Sequence, residues 1–153
     1  MRRAAASAVI DASAAVKLVY PEEHWAEARR VLTEGWHLCA PAHWLAEATI
    51  ALWSKAAIRR EASEAAVLAA LAVLERVPVA EVPLRALTAP ALRIALRLRI
   101  TPYDALYLAL AERDGLRLVT GDRPLHRAAS ADPDLAPLVL WVGDLATADP
   151  PAA

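Results

Sequence analysis

Short apolar runs of about four to six residues, each followed by a longer stretch of helical texture, recur along this 153-residue chain. That alternation is the strongest constraint on the fold. Successive parallel strands need a crossover of a dozen or more residues, usually a helix. The pattern therefore calls for an α/β domain with a central, mostly parallel five-stranded sheet and helices on both faces. Strands are expected at residues 7–11, 36–40, 77–82, 116–120 and 138–142. Between them, helical text runs from 13 to 20, 22 to 34, 42 to 58, 61 to 76, 84 to 99, 101 to 115 and 123 to 129. Pro21 and Gly35 punctuate the early part, Pro90 is placed to bend the sixth stretch, and Thr101-Pro102 with Gly115 frame the seventh. No repeat of 20–50 residues is present.

Composition narrows the class. The chain is 58% hydrophobic and 23% charged, enough apolar matter for a full core. Much of that is alanine, about a quarter of all residues. Net charge is −1, which excludes a bulk-basic nucleic-acid binder while allowing a local basic groove. A single cysteine, Cys39, excludes an intramolecular disulfide framework and a cysteine-rich zinc site, and fits a reducing, cytoplasmic home. No stretch reaches the ~20 apolar residues that a membrane helix needs. Arg2-Arg3 before an apolar run resembles an export leader only faintly, and the run is read as a buried strand.

The acids are placed unevenly. Asp11 closes the first strand and Asp122 follows the fourth, behind Gly121. In open parallel sheets, ligands collect beyond the carboxyl ends of strands at the point where strand order switches. Each aspartate is equally suited to cap the helix after it, so cap and ligand both stand open. Asp104 is the third residue of a helix opened by Thr101-Pro102, a good capping pattern. The all-apolar or tyrosine run from Ala105 to Ala111 nevertheless buries that helix and sets its start at a sheet edge. Glu47 is the lone formal charge between Ala42 and Ser54. It either shares a wet face with His43 and Ser54 or aims a carboxylate at a cation.

Four carboxylates converging on one edge repel and raise one another's pKa values, and a divalent cation removes that conflict. Oxygen donors without cysteine or a tight histidine pair favour Mg²⁺ or Mn²⁺ over Zn²⁺. Acidic sites of this kind bind a scissile phosphate and generate a hydroxide nucleophile. Ser13 and Thr120 carry hydroxyls suited to support such a site. His24, His37, His43 and His126 show no metal spacing and receive no role.

These residues fall in motifs that resemble the PIN-domain ribonucleases, and among them the VapC toxins of toxin–antitoxin pairs. The motifs are Val9-Ile10-Asp11-Ala12-Ser13, then Trp44-Leu45-Ala46-Glu47-Ala48 with Ala51-Leu52. The third runs from Thr101-Pro102-Tyr103-Asp104 to Ala111, and the last is Leu118-Val119-Thr120-Gly121-Asp122-Arg123-Pro124-Leu125. All four occur in order across nearly the whole chain. The resemblance implies a single PIN-like nuclease domain over residues 1–145, with a frayed tail at 146–153. It implies a Mg²⁺-dependent endoribonuclease, with Mn²⁺ as substitute. Catalytic and metal-site roles fall on Asp11, Glu47, Asp104 and Asp122, with Ser13 and Thr120 in support. It also implies a homodimer and a cognate antitoxin. Ile50 departs from the pattern, because family members often carry Asn three residues after the glutamate.

An acidic site that takes RNA needs cations around it. Lys17 and Lys55 are the only lysines among seventeen basic residues, and arginine suits bidentate phosphate contact. Arg93, Arg97, Arg99, Arg123 and Arg127 are the candidate RNA-binding residues. Five tryptophans and no phenylalanine supply core filling and leave one or two for an interface. A signalling receiver domain fits poorly, since Ala12 follows Asp11 and both lysines come early. A haloacid-dehalogenase-type phosphatase wants an aspartate where Ser13 stands. The remaining alternative is a non-catalytic PIN-like module that binds RNA or a partner.

Overall fold

The computed structural model describes residues 6–146. Arg2-Arg3, at the start of the run read as a buried strand, and most of the 146–153 tail lie outside the described residues. Five strands form one sheet: β1 (Ser7–Ile10), β2 (His37–Pro41), β3 (Val79–Val82), β4 (Arg117–Thr120) and β5 (Val139–Trp141). Their order is β3-β2-β1-β4-β5, and every pairing is parallel. Strand order therefore reverses at β1, whose two neighbours are β2 and β4. β1 and β4 are buried over three of their four residues, as central strands covered on both faces must be. β3, at the edge, is only partly covered.

The helices are α1 (Ala12–Val19), α2 (Trp25–Ala28), α3 (Arg30–Thr33), α4 (Trp44–Trp53), α5 (Glu64–Leu74), α6 (Thr88–Leu98), α7 (Pro102–Asp114) and α8 (Arg123–Ser130). α1 packs against α4 and α5, and α7 packs against α6 and three strands. Ala105 to Ala111 of α7 are all buried, because the helix is held between the sheet and α6. Its ends are set locally. Thr101 accepts from the Asp104 backbone amide, Pro102 opens the first turn, and Gly115 closes the helix at φ 64°. That φ is left-handed, where glycine has no Cβ to clash.

Several expected helices are shorter or divided. The stretch 22–34 becomes two short helices meeting at Arg29, and the stretch 42–58 ends in a π-helical segment, Ser54–Ile58. The break expected at Pro90 falls earlier. A 3₁₀ turn at Leu84–Ala86 precedes α6, and Pro90 sits within its first turn, where a missing N–H costs nothing. No helix among the described residues is long and apolar enough to cross a membrane.

Candidate active site

The switch in strand order brings Asp11 and Asp122 to one edge. Ile10 pairs with Val119, and the Asp11 amide donates to the Val119 carbonyl at 3.2 Å. Asp11 caps α1, its Oδ1 accepting from the Ala14 amide at 2.8 Å and the Ser13 hydroxyl at 2.6 Å. Asp122 caps α8 through the Leu125 amide at 2.8 Å, and its own amide donates to the Thr120 hydroxyl at 3.0 Å. Both capping roles are thus real. They do not exhaust Asp11, which is 3% exposed. Its burial pushes the carboxyl up to about 6, against hydrogen bonds from Ser13, Thr120 and the Ala14 amide, and the charge of Asp122 adds to the rise.

Ser13 and Gly121 stitch the two strand ends together. The Gly121 amide donates to the Ser13 hydroxyl at 2.9 Å. A Cβ on Gly121 would stand 2.6 Å from Cε of Lys17 and 3.3 Å from the Ser13 oxygen. Glycine here lets the turn close over Lys17. Asp104 accepts from the Thr101 hydroxyl at 2.8 Å. Its carboxyl lies above the usual range: half-burial raises it, Thr101 opposes this, and the charges of Asp122 and Glu47 raise it further. That mutual influence places Asp104, Asp122 and Glu47 in one electrostatic neighbourhood.

Glu47 does not lie on a wet face. Its Oε2 accepts from the Tyr107 hydroxyl at 2.6 Å and sits 3.3 Å from Nε2 of His43. Half-burial acts to raise its pKa, but the His43 and Tyr107 contacts prevail and hold it below the usual value. His43 is buried and rings 5.0 Å from Tyr107 and 5.5 Å from Tyr103. This histidine, left without a role by metal spacing, is the clearest residue that sequence reasoning missed. The available signal was its place four residues before Glu47 on one helix face. Ile50, the departure from the motif, is 62% exposed.

A second unanticipated group adjoins the acids. Lys55, 5% exposed, reaches Glu22, which also accepts from Lys17 at 3.0 Å. With Ser13, Gly121 and Arg59 these residues line a cleft of about 330 Å³. Among the candidate arginines, Arg123 and Arg127 follow Asp122 on α8 and are exposed. Arg93 and Arg97 are exposed on α6, Arg97 held by Asp132 at 2.9 Å, and Arg99 ends that helix at φ 56°.

Among the described residues, no Lys or Arg forms an ion pair with Asp11, Asp104 or Asp122. As the side chains stand, no three Asp, Glu, His or Cys groups among the described residues are gathered tightly enough to hold a metal ion. Each carboxylate is turned to its own cap or hydroxyl. Mg²⁺ commonly keeps several waters and takes only one or two protein carboxylates, so an all-oxygen edge without a cationic partner fits it chemically.

Fold and site together define an all-parallel α/β domain with an acidic centre at its strand-order switch. The chain belongs to the PIN-domain family, whose model matches residues 8–131. No curated protein sequence matches it. Among solved structures, the Pyrobaculum aerophilum protein PAE2754 is similar at 29% identity and TM-score 0.63, covering 94% of this chain and 88% of that one. The Mycobacterium tuberculosis toxin VapC20, described as cleaving the sarcin-ricin loop, has 19% identity and TM-score 0.59, covering 78% and 93%. A toxin–antitoxin complex from Klebsiella pneumoniae has 16% identity and TM-score 0.58, covering 88% and 97%. At such identities the last two show a shared fold.

Proposed function

We propose that this chain is a metal-dependent endoribonuclease that hydrolyses RNA phosphodiester bonds, and that it is the toxin of a toxin–antitoxin pair. The observation that carries the reading is Asp11: a buried carboxylate beside a second one, at the switch point, with no Lys or Arg paired to it among the described residues. A buried charge left in that state is costly, and membership of the PIN family supplies the context. Asp11 and Asp104 are the proposed primary ligands of Mg²⁺ or Mn²⁺, with Glu47 and Asp122 orienting water or a second ion. When bound, a divalent ion there supplies charge neutralisation at the scissile phosphate and activation of water.

The chain's own groups hold this arrangement. Ser13 and Thr120 fix Asp11 by hydrogen bonds. Tyr107 and His43 orient Glu47. Thr101 fixes Asp104.

Two uncovered apolar surfaces support partners. Leu52, Trp53, Ala56, Val67, Leu68 and Leu71 line a groove of about 460 Å³ along α4 and α5, and α6 exposes Leu92 and Leu96. Exposed apolar area of this kind marks interaction sites, consistent with an antitoxin and a second copy of the chain. The free thiol of Cys39 suits a cytoplasmic setting.

The test is cleavage of a labelled, structured RNA pool by purified, antitoxin-free protein with Mg²⁺, with Mn²⁺ and with EDTA. Cutting is expected with either metal and lost in EDTA, in Asp11→Asn and in Asp104→Asn. Full Mg²⁺-dependent cutting by Asp11→Asn overturns the assignment. Sequence-independent RNA binding without any cutting favours a binding-only module.

A further inference from the structure

Beside the acids, on the far side of β4, lies an aromatic and arginine cleft that the proposed chemistry leaves unused. Trp141 ends β5, and its register partner is Thr120, the residue whose hydroxyl supports Asp11. The cleft therefore opens on the same sheet edge, one strand along. Arg123, His126, Arg127, Ser130 and Trp141 line it with Ala131 and one acid, Asp144, in a volume of about 460 Å³, within the range of small-ligand pockets. Arg123, His126 and Arg127 share one face of α8, at the i, i+3 and i+4 positions that begin one residue after Asp122.

The indole is held in place rather than merely exposed. The guanidinium of Arg123 lies 4.5 Å from its ring centre. His24 meets it edge-on at 5.5 Å and His126 at 5.8 Å. His24 takes a left-handed φ of 63°, a costly conformation for a non-glycine residue. Gly143 completes the seat: a Cβ there would stand 2.6 Å from the indole nitrogen and 2.8 Å from His24 Cε1. Besides the indole, Arg123 meets the exposed Glu23 at 3.5 Å, and Arg127 is exposed.

We infer that this cleft is a subsite for an unpaired nucleotide neighbouring the scissile phosphate, its base stacked on the Trp141–Arg123 platform and its phosphate on Arg127. Single-stranded RNA is recognised by stacking of splayed bases on aromatic rings and guanidinium planes. An indole packed against one guanidinium, with the exposed Arg127 beside it and an acidic centre adjoining, supplies both contacts. Because the scissile phosphate meets carboxylates, the flanking nucleotide is where the protein can attract the strand. The inference rests on the ribonuclease reading and adds where the strand is gripped.

The test is fluorescence anisotropy with a fluorescein-labelled, mixed-sequence 20-nucleotide single-stranded RNA. It is run in Mg²⁺ on the full chain carrying Asp11→Asn, so that the probe is not cut. Adding Trp141→Leu is expected to weaken binding at least about fivefold, the lower end of base–aromatic stacking, while Trp141→Phe stays within about twofold. The exposed pair Arg123→Gln/Arg127→Gln does not touch the core. It is expected to flatten the dependence of log affinity on log salt by about 0.7 per lost phosphate contact. Thermal melting checks each fold, and the arginine pair carries the test where Trp141→Leu melts early. If the wild type cuts RNA while all these variants bind like their parent, the subsite is overturned and the ribonuclease reading stands. A wild type that neither cuts nor binds RNA overturns both.

Discussion

Glu22 is the acid that ties the first loop to the helical layer, between a buried Lys55 and a partly buried Lys17. Half-burial works against its ionisation, yet the hydrogen bonds from Lys55 and Lys17 win and depress its pKa. A carboxylate with a depressed folded-state pKa stabilises above its unfolded value and loses that contribution as pH falls through the folded one. Glu22→Gln is therefore expected to cost about 2 kcal/mol at pH 7, as for hydrogen bonds to charged groups. The gap to wild type should close well below pH 4.5, which urea unfolding at the two pH values checks. Cys39 behaves oppositely. Burial, and then the charge of Asp114, push its thiol up to about 11. Since the thiolate is the reactive form, iodoacetamide labelling at pH 8 is expected to be slow and to accelerate only as pH approaches that value. Neither environment was legible in the sequence, because Glu22 and Lys55 meet across 33 positions. Asp11 and Asp122 were legible, since an acid between a strand and a helix is a local pattern.

At the scale of elements, local grammar succeeded where a helix carries its own punctuation. Thr101, Pro102 and Gly115 bound α7 as the sequence leads one to expect. It failed where packing decides. Nothing in residues 22–34 announces a break at Arg29, and the π-helical segment after Trp53 follows no proline or glycine. Lys55, in that segment, is buried toward Glu22 and the Tyr20 ring; we associate the altered winding with this tether. Thr101 links helix formation to the site, accepting from the Asp104 amide and donating to its carboxylate. Thr101→Ala is expected to cost about 1 kcal/mol of stability, the usual loss of an N-cap, and to lower cleavage by freeing Asp104. Thr101→Ser, which keeps the hydroxyl, is expected to restore both. Chemical denaturation and cleavage rates on the same three proteins decide this.

For the molecule as a whole, strand number and parallel direction followed from the alternation of runs, but strand order did not. The order β3-β2-β1-β4-β5 puts the first and fourth motifs side by side. Pairwise carboxylate repulsion across that junction makes the folded state weaker without a cation, so metal and fold are linked. Mg²⁺ near a hundred times its Kd is expected to stabilise the wild type by about 2.7 kcal/mol. For a chain of this length that is roughly 5–10 °C in melting temperature. Asp11→Asn and Asp104→Asn should show little of that rise. Calorimetric scans with and without EDTA provide the measurement, independent of any substrate.

The bond between the Gly121 amide and the Ser13 hydroxyl spans 108 positions, and this has a consequence for biogenesis. Translation delivers Asp11 long before its neighbour across the junction, which arrives only when β4 and the start of α8 have left the ribosome. A nascent chain on the proposed reading is therefore disarmed by topology: no truncated product ending before Asp122 contains the assembled centre. On that reading, assembly of the centre waits for the fourth motif, without any inhibitor being needed before it is made.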